Sequence, residues 1–173
     1  LCAINIVLAL SMNLVNGFTG IFSLGHAGFM AIGAYTVALL TIPVAKKETI
    51  FMLEPLIAPL NTLTLPFGAA LIIGGLLAAA LAFLIGLPCL RLRGDYLAIA
   101  TLGFSEIIRI VITNAQSLTN GAQGLKSIPA TANIWWCYGI ALATIIFIAL
   151  LISSSYGRAF KAIREDEIAA ESM

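Results

Sequence analysis

Long apolar runs, separated by short connections that hold most of the charge, constrain this chain more than any other feature. A helix needs about 20 mainly apolar residues to cross the roughly 30 Å hydrocarbon core of a bilayer. Residues 18–42, 65–87, 96–112 and 134–152 approach that length, and residues 1–15 form a shorter apolar run. Only 10% of the 173 residues are charged and 61% are hydrophobic, whereas soluble domains carry about 25% charge. Water is therefore not the main solvent. Inside a bilayer the backbone must satisfy itself, so spans of this length imply an all-α fold, a polytopic transmembrane helix bundle. The run opening at Leu1 has no charged leader or cleavage site before it, and we expect a chain truncated at the front.

The connections are residues 43–64, 88–95, 113–133 and 153–173. Arg91, Arg93, Arg158, Lys161 and Arg164 lie in the second and fourth; Lys46, Lys47 and Lys126 lie in the first and third. The positive-inside rule then places the second and fourth in the cytoplasm. Trp135, Trp136 and Tyr138 open the last span and read as an interfacial belt. In 65–87, Gly74, Ala78, Ala82 and Gly86 recur every four residues on one helix face, which is expected to pack against protein.

Residues 13–29 (NLVNGFTGIFSLGHAGF) are unusual for a bilayer. Gly17, Gly20, Gly25 and Gly28 alternate with Asn13, Asn16, Thr19, Ser23 and His26. Each glycine costs a helix roughly 1 kcal/mol relative to alanine. Interrupted backbone at membrane depth survives only where protein or a water-filled path satisfies it, and such breaks mark substrate sites in transporters. Asn16, Gly17, Ser23, Gly25, His26 and Gly28 are the pathway candidates; a tight turn between ordinary helices with a packed His26 is the plainer alternative.

Glu106 and Arg109 are three apart on one face of a span, with Glu106 about 16 Å along a helix starting near Asp95. An unpaired charge there is costly, so the expectation is an intramembrane ion pair that staples the bundle, with a zwitterion-binding pair as the alternative. Cys2, Cys89 and Cys137 are scattered and His26 is the single histidine, so no metal site, cofactor site or catalytic set is expected. Residues 121–127 lack the GxxxxGK[ST] spacing of a phosphate loop. A net charge of +1 offers nothing to nucleic acid.

Residues 157–173 depart from everything before them, carrying Arg158, Lys161, Arg164, Glu165, Asp166, Glu167 and Glu171 after a span with no charge. Tyr156, Phe160 and Ile163 recur at i, i+4 and i+7 and make one apolar stripe. A solvated loop is one reading, and a short helix docking its stripe into a partner groove is the other.

Residues 14–38 (LVNGFTGIFSLGHAGFMAIGAYTVA), 90–110 (LRLRGDYLAIATLGFSEIIRI), 119–125 (TNGAQGL) and 156–173 together, and in order, resemble the branched-chain amino acid permeases of ABC importers, in particular their M-type subunit. The resemblance implies a multi-pass protein of a bacterial or archaeal cytoplasmic membrane, surrounded by lipid. It implies as partners an H-type second permease, two cytoplasmic ATP-binding subunits and a periplasmic or extracellular amino-acid-binding protein. ATP hydrolysis would belong to those partners, and this chain would be no enzyme. Residues 1–173 would form a single permease domain, a fragment at both ends, with 153–173 as its cytoplasmic coupling loop. The ATPase-coupling candidates are Tyr156, Gly157, Arg158, Phe160, Ile163, Arg164, Glu165 and Asp166. The function implied is translocation of Leu, Ile and Val. The alternatives are a related permease for urea, a short amide or a sugar, and a secondary transporter with Glu106 as proton carrier.

Overall fold

The computed structural model describes residues 1–51, 60–92, 94–126 and 128–165, Glu48 and Thr49 by their backbone alone. Among the described residues there are helices and connecting turns and no strand. Three helices are long and apolar enough to cross a membrane: α4 (Phe67–Cys89), α5 (Asp95–Asn114) and α7 (Ile134–Ser153). In each, only 11% of the most apolar window is buried within the chain. Apolar helices this exposed are stable only in lipid or against other protein, and the chain is a multi-pass membrane protein.

Two apolar helices are shorter. α1 (Cys2–Asn13) runs into a π-helical turn, Leu14–Phe18. α2 (His26–Thr41) has 16 residues, about 24 Å of rise. The span expected over 18–42 therefore starts eight residues late. The cause is local: Gly20 has φ +69°, outside right-handed helix space, and the backbone does not become helical again until His26.

Contacts divide the chain into two compact units, Leu1–Ser23 with Ala132–Met173, and Leu24–Thr131. In the first, α1 packs on α7, and α8 (Ser155–Glu165) packs on α7 and on the π-helical turn. α7 and α8 are separated by Ser154 alone, whose extended backbone (ψ 177°) breaks the helix. At this corner Gly157 lies against the backbone of Ile152, in a space that a Cβ would fill.

In the second unit α2 packs on both α4 and α5. A Cβ on Gly74 would lie 2.8 Å from Val37 Cγ2 and 3.1 Å from the Gly33 carbonyl, while one on Gly33 would lie 4.0 Å from Ala78 Cβ. Small residues thus let the two backbones approach. Within this chain the contact does not reach Gly86, where a Cβ would meet nothing within 4 Å. The pairing is antiparallel, and level with Gly86 the helix α2 has not yet begun.

The same unit carries a small cap. Pro43 turns the chain into α3 (Val44–Ile50), and the Leu65 amide returns to the Leu40 carbonyl at 2.9 Å. Leu39 and Phe51 form a core with Ile50, Leu60 and Leu125 packed against it. After α5 the chain makes a short helix, α6 (Gln116–Thr119), and a 3₁₀ turn, Gly121–Gln123. Thr119 Oγ1 donates to the carbonyls of Ile112 and Ala115, folding this connection back on the end of α5. Asn120, Gly121 and Gly124 all have positive φ, and the stretch follows a helix, unlike a phosphate loop; its Ser127 lies outside the described residues.

Candidate functional site

The interruption after α1 is held by side chains. A π-helical turn widens the helix by one residue and disturbs its hydrogen-bond ladder. Asn13 Oδ1 occupies the space that a Cβ on Gly17 would need. Thr19 Oγ1 donates to the Val15 carbonyl at 2.5 Å, and the Ser23 amide donates to Asn16 Oδ1 at 3.2 Å. Arg164 Nη1 of α8 donates to the Gly17 carbonyl at 3.2 Å. The structure thus brings Asn16, Gly17 and Ser23 together around one folded-back segment, with Arg164 on it.

Gly25, His26 and Gly28 belong to the other unit. Gly25 precedes α2 and is buried, and His26, the first residue of α2, is half-buried. A Cβ on Gly28 would come within 3.0 Å of Ser105 Cα and of Ile108 Cδ1, and one on Gly25 within 3.5 Å of the Thr101 carbonyl. These two glycines let α2 approach α5. Thr101 strengthens the same contact: its Oγ1 accepts the Leu24 amide at 3.1 Å and donates to the Ala98 carbonyl at 3.0 Å. The sequence gives one signal for Thr101, a hydroxyl inside an apolar span.

Glu106 Oε1 and Arg109 Nη1 pair at 2.7 Å. Their side chains are 55% and 74% exposed, so the pair lies within one helix and does not bridge α5 to another element of this chain. The buried residues of α5 are Leu97 and Ala98 in its first turn, and Thr113, one turn beyond Arg109, donates its hydroxyl to the Arg109 carbonyl at 2.7 Å. Within this chain Glu106 and Arg109 form an exposed i, i+3 ion pair.

On α8, Tyr156 is exposed, Phe160 half-buried and Ile163 exposed. Arg158 Nη2 donates to Ser155 Oγ at 3.0 Å, bracing the first turn. Gly157 is buried at the corner, and Glu165 is the last described residue of α8. Asp166, Glu167 and Glu171 lie outside the described residues. Among the described residues no cluster of three or more His, Cys, Asp or Glu forms a metal site.

In the sequence Lys47 counts only as a charge of the first connection. It is 1% exposed, and its Nζ donates to the carbonyls of Leu60 and Leu63, each at 2.7 Å. Burial pushes its pKa below the ordinary 10.5.

The family model for the branched-chain amino acid transport system / permease component matches residues 1–173. The chain belongs to that family. It is 37% identical to the high-affinity branched-chain amino acid transport system permease protein LivM of Escherichia coli (strain K12), covering 100% of this chain and 44% of the relative. The LivM of Salmonella typhimurium is 36% identical over 98% of the permease chain and 44% of its own length. A probable branched-chain amino acid transport permease protein LivM of Methanocaldococcus jannaschii is 26% identical, with 93% and 54% covered. The permease chain thus spans about half the length of the curated relatives it matches. No solved structure matches it.

Proposed function

We propose that this chain is part of the permease subunit of an ATP-driven importer that carries branched-chain amino acids (Leu, Ile, Val) across a bacterial or archaeal cytoplasmic membrane. The observation that carries the reading is α8. An 11-residue charged helix follows the apolar α7 after a single extended residue, a geometry suited to presenting a short amphipathic helix to a soluble partner. The names of the relatives favour branched-chain amino acids over urea, amides or sugars. The partners in this reading are an H-type second permease, two cytoplasmic ATP-binding subunits and an external amino-acid-binding protein. ATP is hydrolysed on the partners, and the interrupted segment around Asn16, Gly17 and Ser23 lines the solute path.

Tyr156, Phe160 and Ile163 dock into a groove on the ATPase, each large side chain contributing roughly 1.5–3 kcal/mol when buried. Arg158, Lys161 and Glu165 sit at the rim and set register more than affinity. The test uses the complete permease in its reconstituted importer. Phe160→Ala, and Tyr156→Ala whose ring is exposed in this chain, lower ATPase-subunit capture and uncouple hydrolysis from uptake while the membrane helices stay folded. Normal capture and coupling in both variants would remove α8 as the dock and this function with it.

A further inference from the structure

The apolar rod that begins at α1 ends where α8 touches it. α1 and the π-helical turn form one continuous rod from Cys2 to Phe18, and the last carbonyls of such a rod have no partner within the helix. Two of them find one here: Val15 accepts from the Thr19 hydroxyl and Gly17 from Arg164 Nη1 at 3.2 Å. Arg164 also brings a full positive charge to the negative end of the helix dipole, and a guanidinium keeps that charge at any accessible pH.

The second contact is apolar and closer to the backbone. Gly20 has φ +69°, and a Cβ on it would lie 3.0 Å from Arg164 Cγ and 3.6 Å from Arg164 Cα. The last turn of α8 therefore rests on the break itself and does not merely reach it with a long side chain. The guanidinium holds the end of the helix, the stem of the same residue lies against the residue that reverses the chain, and Asn16 fixes the segment's far end through the Ser23 amide.

From this juxtaposition we propose that Arg164 is the positioning residue through which α8 sets the conformation of the interrupted segment. The inference rests on the reading of α8 as the ATPase dock. When a docked ATPase displaces α8, Arg164 moves with it. The Gly17 carbonyl then loses its charged donor, and Gly20, which has no side chain to resist, lets residues 19–23 rearrange. Docking and gating would thus meet at one residue, without a relay through the rest of the bundle.

The experiment uses the complete permease with all its partners in vesicles, Cys2, Cys89 and Cys137 replaced by serine, and a reporter at Phe22→Cys, an exposed position within the break. In the otherwise unsubstituted protein, ATP changes the rate at which the reporter thiol is labelled. Arg164→Ala loses the ATP-dependent change in labelling and lowers uptake per ATP hydrolysed about tenfold, as expected for loss of a charge-assisted hydrogen bond. Arg164→Lys restores part of both, because an ammonium can also donate to the carbonyl. Coupled uptake and ATP-responsive labelling in Arg164→Ala would overturn the proposal. So would loss of ATPase capture in that variant, which would make Arg164 a docking residue, and so would labelling that ignores ATP in the unsubstituted protein. If the unsubstituted permease captures no ATPase at all, the dock reading falls as well, a result distinct from the other three.

Discussion

The interrupted segment Leu14–Ser23 and the α2–α4 contact are both rich in glycine, yet glycine acts in opposite ways in them. At the interruption, Gly20 lets the chain leave the helix with φ +69°, and exposed backbone groups are then satisfied by Thr19, Asn16 and Arg164. In the α2–α4 contact, Gly33 and Gly74 stay helical, keep their backbone bonds within the helix and bring two apolar rods together. The first arrangement gives up regularity for polar contacts that can be rearranged. The second gives up side-chain volume for a contact that cannot move without opening a void.

Gly157 tests the fixed kind most severely. A Cβ there would overlap the backbone of Ile152 at the α7–α8 corner, where no side-chain rotation relieves it. Gly157→Ala should cost more than about 3 kcal/mol, in the upper tail of single substitutions. The readout is a lowered thermal midpoint of the detergent-solubilised permease. A wild-type midpoint would show that the corner yields, and that rigidity at α8 is not built in by glycine.

The contact of α2 with α4 should respond less. A side chain at Gly74 meets the end of Val37, which can turn away, as well as the Gly33 carbonyl, which cannot. Gly74→Leu overpacks the contact and should cost about 1–3 kcal/mol, measured by the same thermal unfolding. A Gly86→Leu control, placed where nothing lies within 4 Å, should cost little within this chain. Equal losses would mean that partner protein covers the Gly86 end of the face as tightly as α2 covers the Gly74 end.

The apolar spans, the helix at α8 and the exceptional character of residues 13–29 were legible because composition and periodicity carry them directly. Where α2 begins was not, because His26 and Phe18 are equally tolerable in an apolar helix, and only the backbone at Gly20 decides between them. That Gly25 and Gly28 let α2 approach α5 was not legible either, since a glycine that admits a neighbouring helix and one that breaks a helix look alike in one dimension. Glu106 and Arg109 were readable as a pair from their spacing, but their outward direction depends on where α2 packs. The Arg164–Gly17 bond joins residues 147 apart, and no local pattern announces it.

Lys47 offers the smallest effect and the sharpest contrast with Arg164. Both cations satisfy backbone carbonyls, Arg164 at the helix end and Lys47 at Leu60 and Leu63 in the cap. Arginine cannot release its proton in a protein, whereas lysine can. Burial lowers the Lys47 pKa below 10.5, so the folded cap holds that proton less tightly than the unfolded chain does. Between the lowered value and 10.5 the unfolded chain binds more protons, and stability therefore rises with pH across that interval and levels off above it. The neutral amine still has two N–H groups for its two carbonyls, so deprotonation does not undo the cap. Thermal unfolding of the permease and of Lys47→Met, compared across this range, should show the rise only in the unsubstituted protein. The variant should be less stable throughout, because the carbonyls of Leu60 and Leu63 lose their donor. Parallel pH profiles would mean that Lys47 does not lose its proton in the folded cap within this range, and the contrast with Arg164 would then lie in geometry alone.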